Sequence, residues 1–267
     1  MNQPFQVRDY WESRLRQSYS LQGVGYQRLG RQYNKWMYRV RARVFARVVE
    51  SLGVDWPRAR VLDVGSGTGF YVEQWHRLGV PKVTGLDITD VAIQELTRRF
   101  PQDEFERADV GQEWPRDTRL GTRVFDAISA MDVLFHIVDD TEYAHAFRNL
   151  AALTRSGGWL IWSDNFLRHG TERVTHQVSR SLEESERAVR QAGFDIIRRV
   201  PMFVLMNYPA DSRSRLARVA WTALVAPASV AEPLGWVIGA LLCPLDQWLT
   251  AVIQESPSTE IMICQRR

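Results

Sequence analysis

Between positions 61 and 70 the chain reads Val61-Leu62-Asp63-Val64-Gly65-Ser66-Gly67-Thr68-Gly69-Phe70, and few folds accommodate such a run. Four mostly apolar, β-favouring residues without polar alternation suit a strand covered on both faces, as in a parallel sheet flanked by helices. Three glycines at alternate positions then permit a sharp turn and a close approach of backbone to a ligand. A helical pattern begins at Phe70. Asp63 is the residue out of place. A carboxylate at the carboxyl end of a buried strand is costly unless donors reach it, so a donor, expected to be a ligand's, should sit there.

Strand and helix patterns alternate from this point. Phe70 to Leu78 reads as a helix closed by Gly79 and Pro81, and Lys82 to Ile88 as a strand that ends on Asp87. Thr89 and Asp90 open a helix from Val91 to Phe100, followed by Phe105-Glu106-Arg107-Ala108-Asp109-Val110. Gly111 to Gly121, with Trp114-Pro115 inside it, reads as loop. Phe125 to Met131 is a fourth strand, and it places Asp132 and His136 at the carboxyl edge where open α/β sheets bind ligands. Asp139 and Asp140 lead a helix through Leu153; Gly157-Gly158 turns into a strand over Trp159 to Ser163 that ends at Asp164-Asn165. Ser181 to Glu184 has capping-box spacing for a helix to Ala192, and Phe194 to Val200 and Thr259 to Cys264 are the last two strands.

This constellation resembles class I S-adenosylmethionine (SAM) methyltransferases. The spacing is Gly-x-Gly-x-Gly rather than the Gly-x-Gly-x-x-Gly of dinucleotide folds, where a helix N-terminus takes a pyrophosphate. The resemblance implies a Rossmann-like seven-stranded sheet with helices on both faces, its seventh strand antiparallel beside the sixth. It implies SAM as cofactor, held by Asp63 at its amino group, by Gly65 and Gly67 along the turn, and by Asp87 at the ribose. Asp109 would meet the adenine amine, with Ile88 and Val110 on the ring and Met131 beside them.

Additions to that core lie at both ends. Residues 1–57 read as an N-terminal helical cap, 58–208 with 258–267 as the core, and 209–257 as a helical apolar insertion before the last strand. In the cap, Trp36, Val40, Val44, Val48 and Leu52 recur at helical spacing. Arg39, Arg43 and Arg47 form a row that is either a solvated face or an anion-attracting patch, and Tyr33 is a candidate pocket residue. Within the insertion, Leu234 to Leu245 is nearly unbroken apolar sequence, too short to span a bilayer and interrupted by Pro244. A lid, a dimer contact, a membrane-resting surface and extra core all remain open for it.

Composition excludes several classes. A net charge of +3 does not by itself indicate nucleic acid, and no appended RNA-binding module is visible. Cys243 and Cys264 lie among apolar residues and suggest neither a disulfide framework nor a zinc site. Met1 to Arg16 is polar, without a signal-peptide core, which suits a cytoplasmic protein, peripheral to the membrane if the insertion rests there.

For the chemistry, His136 is the best candidate for a general base, since an oxygen acceptor must lose a proton; a histidine bound to backbone at a helix entry is the competing reading. His169, His176, Asp132 and Asn165 are further substrate-side candidates. No metal site is assigned, although Asp132 with Asp164 and Asn165 resembles the oxygen-ligand set of metal-assisted O-methyltransferases. No Asn-Pro-Pro-Tyr-like turn follows the fourth strand, where Ser129-Ala130-Met131-Asp132 stands instead. The resemblance therefore points to stand-alone bacterial enzymes acting on a small molecule, sugar or lipid-linked glycan, with O-methylation favoured over N- or C-methylation. A SAM-binding partner subunit without activity is the non-enzymatic alternative.

Overall fold

In the computed structural model, residues 6–112 and 123–267 are described. Most of the loop expected over 111–121, including Trp114-Pro115, lies outside them. Strand β1 (Val61–Val64) is buried along its whole length and runs parallel to β2 (Val83–Asp87) and β4 (Phe125–Met131) on either side. β3 (Glu104–Arg107) extends the sheet beyond β2, and β5 (Thr154–Asp164) extends it beyond β4, both parallel. β9 (Glu260–Arg266) is antiparallel between β5 and β8 (Phe194–Pro201), giving the order β3-β2-β1-β4-β5-β9-β8. Because the strand order reverses at β1, the crossovers diverge there and leave a crevice at the carboxyl ends of β1 and β4.

Alternate residues of β1 serve opposite cores, Val61 on one face and Leu62 on the other. Helices α3 (Gly30–Glu50), α4 (Phe70–Arg77) and α5 (Asp90–Arg99) cover the first face. α6 (Asp140–Leu153) and α7 (Leu182–Gln191) cover the second. Their starts follow the capping residues: Thr89 accepts from the Ala92 N–H, Asp139 from those of Thr141 and Glu142, and Ser181 from that of Glu184. β5 begins earlier than the glycine pair suggested. Its register against β4 shifts between Phe125 and Ala127, so Thr154 pairs before the irregularity and Trp159 after it.

Ahead of the long cap helix lie two more helices, α1 (Val7–Gln17) and the short α2 (Leu21–Val24). A small hairpin of β6 (Glu172–Val174) and β7 (Gln177–Ser179) stands off the main sheet. Between β8 and β9 lie α8 (Arg215–Val230) and α9 (Glu232–Val252). α9 continues through Pro244 and has 21 residues, so the limit inferred from a twelve-residue apolar run does not hold: by length and composition this helix could cross a bilayer. Its fastening to the rest of the protein is described below.

Candidate functional site

The glycine turn that follows β1 is enforced sterically. Gly65, Gly67 and Gly69 have φ of 68°, 50° and 78°, in the left-handed region that side chains disfavour. A Cβ on Gly65 would lie 2.3 Å from Val133 Cγ2, and one on Gly69 would lie 2.5 Å from Phe100. The turn aims its amides at the neighbouring strand end: the Gly67 N–H donates to Asp87 Oδ2 at 2.9 Å. Asp87 Oδ1 accepts from both the N–H (2.9 Å) and the hydroxyl (2.7 Å) of Thr89. Burial pushes the Asp87 carboxyl up from its usual range, while these donors hold it down.

One cavity opens at these strand ends. Gly65, Gly67, Asp87, Ile88, Asp109, Val110, Met131, Asp132 and His136 all line it. Asp109 Oδ1 accepts from the Gly111 N–H at 2.8 Å, which fixes the residue at the end of β3. The structure thus brings together residues drawn from four strand ends.

His136 sits in the 3-10 turn Leu134–His136, with the Trp11 ring at 4.8 Å. Its Nδ1 is 2.9 Å from the His176 carbonyl oxygen. A carbonyl only accepts, so Nδ1 carries the proton and Nε2 is left as the acceptor. Burial pushes the imidazole down to about 4, which makes it neutral at physiological pH. The backbone-bound reading and the cavity reading of this histidine therefore both describe it.

Several candidates are placed elsewhere. Asp63 does not line the cavity. Its Oδ1 accepts from the Ser129 hydroxyl at 2.6 Å, and that hydroxyl accepts from Trp75 Nε1 at 2.9 Å, so the protein itself supplies a donor to this carboxylate. Burial pushes Asp63 up to about 7. Tyr33 is fully buried on the inward face of α3, with its hydroxyl donating to the Met206 carbonyl. His169 pairs with Asp211 at 3.1 Å, and His176 stacks on Tyr10 and, at 6.3 Å, on His136, whose Nδ1 donates to the His176 carbonyl.

The oxygen set considered for a metal is not assembled. Asp132 pairs with Arg41 and accepts from the Ser163 hydroxyl at 2.7 Å; Asp164 is fully buried and accepts from the Asn165 N–H. The Asn165 amide spends its side chain on Ser179 and Thr259. Among the described residues no group of three His, Cys, Asp or Glu side chains is disposed to hold a metal ion.

Two contributions were not anticipated. Arg41 of α3 enters the cavity, 9% exposed, between the rings of Tyr38 and Phe203, and its Nε has no hydrogen-bond partner among the described residues. The signal was its spacing from Met37, Tyr38 and Phe45, which puts this arginine on the apolar face. Helix α1 supplies Val7, Trp11 and Leu15 at intervals of four to the lining. It is fastened to α5 by Arg8–Asp90 and by Glu12 accepting the Asp90 N–H, and nearby Tyr19 donates to the Gly67 carbonyl at 2.8 Å.

Residues 61–158 match the family model described as a methyltransferase domain. Among curated proteins none matches the chain. Solved structures share its fold. Magnesium protoporphyrin IX methyltransferase from Synechocystis PCC 6803, with bound SAM, is 18% identical over 100% of both chains, with a TM-score of 0.58. A putative sarcosine dimethylglycine methyltransferase from Galdieria sulphuraria is 14% identical over 84% of each chain, with a TM-score of 0.55. The cyclase SpnF is 20% identical over 84% of this chain and 80% of its own, with a TM-score of 0.54. The glycine turn, Asp87, Asp109 and His136 all lie inside the segment that resembles a methyltransferase domain, and the seven-stranded sheet around it has the fold of SAM-dependent methyltransferases.

Proposed function

We propose that this protein transfers a methyl group from SAM to oxygen on a small, largely apolar acceptor. The observation that carries the reading is a single cavity shared by the glycine turn, Asp87, Asp109 and an orphaned arginine nitrogen. The residues fit the cofactor. Asp87 accepts three bonds from Gly67 and Thr89 and keeps about one further acceptor site, which suits a ribose hydroxyl. Asp109 suits the adenine amine, with Ile88 and Val110 against the ring and Met131 beside it. Arg41 Nε is a buried donor that a carboxylate of an amino-acid tail would satisfy. Asp63 acts from behind by fixing Ser129 and the turn. When bound, SAM supplies a methyl group on a sulfonium, ready for in-line displacement.

The chain's own work is then alignment and proton handling. Val7, Trp11 and Leu15 close the cavity against water, and His136 Nε2 accepts the acceptor's proton. A neutral imidazole with a pKa near 4 is a weak base, so it matches an acidic hydroxyl, such as a phenol, better than a sugar alcohol. Tyr38, Phe70 and Tyr71 in the lining favour the same planar, apolar class.

Calorimetry with SAM and its demethylated product tests the cofactor reading, and absence of binding would overturn it. Methyl-labelled SAM supplied with a cell extract, followed by sorting of the label, tests the acceptor class. Label confined to nucleic acid or protein would reject a small acceptor. SAM binding with no transfer to any fraction would point instead to a non-catalytic partner subunit.

A further inference from the structure

Helix α9 is built inside out. Its buried positions, Gly235, Gly239, Leu242, Cys243, Asp246 and Thr250, are mostly small or polar. Its exposed stripe, Leu234, Val237, Leu241, Leu245, Trp248 and Val252, is entirely large and apolar, each residue between 45% and 66% exposed. The intervals of three and four place all six on one face. At 1.5 Å per residue the stripe is roughly 27 Å long. Helix α8 adds Leu216, Val219, Leu224 and Val230, at 48% to 82% exposure. Exposed apolar surface of this extent on two helices that pack side by side marks an interaction site.

The inward face explains why the glycines are there. A Cβ on Gly239 would stand 2.4 Å from Trp36 Cδ1, so α3 packs directly on the α9 backbone. The helix is also tied down at both ends. Glu232 accepts from the N–H groups of Arg31 and Gln32, and the fully buried Asp246 accepts from those of Val204, Leu205 and Met206. A helix whose carboxylate is buried in the globule this way lies along the protein rather than across a bilayer.

Charge decides the occupant. Over residues 212–252 the acidic side chains are Glu232 and Asp246, both engaged in those bonds. Arg213 and Arg215 are exposed at the start of α8, and Lys35, Arg39 and Arg43 along α3. The Arg39 guanidinium lies 4.0 Å from the Trp36 ring centroid, and Trp36 meets the exposed Trp236 at 5.8 Å, so the basic row adjoins α9 at that tryptophan. We propose that this face rests on an anionic lipid bilayer, with the α8 and α9 stripes at the acyl boundary and the basic side chains toward the headgroups. The exposed Trp236 and Trp248 have the amphipathic rings that settle at such boundaries. A second copy of the chain fits less well, since a two-fold contact through this face would bring two basic margins together.

The test is flotation of the full-length protein with phosphatidylcholine vesicles, with and without roughly one-third phosphatidylserine. Flotation is expected with the anionic vesicles and should weaken with salt. The double variant Leu241→Ser, Trp248→Ser should lose about tenfold or more in apparent affinity. Arg39→Gln with Arg43→Gln should weaken binding to anionic vesicles while leaving the circular dichroism unchanged, which keeps the test open if the apolar variant folds poorly. Wild-type protein that stays unbound would overturn the proposal, as would flotation indifferent to both pairs. A dimer in light scattering that the Leu241→Ser, Trp248→Ser pair dissociates would assign the face to a second copy instead. None of these readouts needs SAM, so the methyltransferase reading stands or falls separately.

Discussion

At the scale of single residues, strand-end acids were legible because each closes a β-favouring run, and a run's end fixes which sheet edge the side chain reaches. Asp87 carries the most weight. Asp87→Ala removes an acceptor from the Gly67 and Thr89 N–H groups as well as from the cofactor, and should weaken SAM binding by about tenfold or more in calorimetry. His136→Gln should lower kcat by roughly a hundredfold or more with SAM affinity retained, if Nε2 accepts the proton. Unchanged turnover would remove His136 from the chemistry. Arg41 and the Ser129–Asp63 bond were harder to read, because each depends on a partner far along the chain: Asp132 for the arginine, β4 for the serine.

At the scale of elements, helices with local stop and start signals were readable: Thr89, Asp139 and Ser181 cap where their side chains demanded. Helix α1 was not, since its apolar positions, Val7, Trp11 and Leu15, are sparse among charges and gain their meaning from the cavity they cover. The apolar run from Leu234 to Leu245 understates α9, which continues past Asp246 to Val252. Its bond to the loop after β8 yields a test. Asp246→Ala should strip three backbone N–H groups of their acceptor and cost about 2–4 kcal/mol in denaturant unfolding. Gly239→Leu should also destabilise, by about 1–3 kcal/mol, because Trp36 occupies the space.

For the whole molecule, buried titratable groups set a pH dependence, with Asp87 and Asp246 raised by burial in the same sense as Asp63 and Asp164. Burial raises Asp63 to about 7 and Asp164 to about 8, above an unfolded value of about 3.9. The folded state therefore binds more protons than the unfolded state, and stability falls as pH rises from about 4 to those values. His136, lowered to about 4 from about 6.5, acts with the opposite sign, and its contribution grows from pH 4 to 6.5. Between about pH 6.5 and 8 the carboxyls act alone, so thermal stability should fall there. Asp63→Asn together with Asp164→Asn should flatten the decline; an unaltered slope would reject this account.

The sequence by itself determined the alternating α/β core, the glycine turn and the acids Asp87 and Asp109, because hydrophobic period, glycine conformation and capping chemistry are local properties that neighbouring residues fix. Tertiary structure decided that Arg41 enters the cavity, that Ser129 donates to Asp63, that Tyr33 is core and that α9 shows its large apolar residues outward. Those outcomes depend on which surfaces meet in space, and only the packed chain sets that.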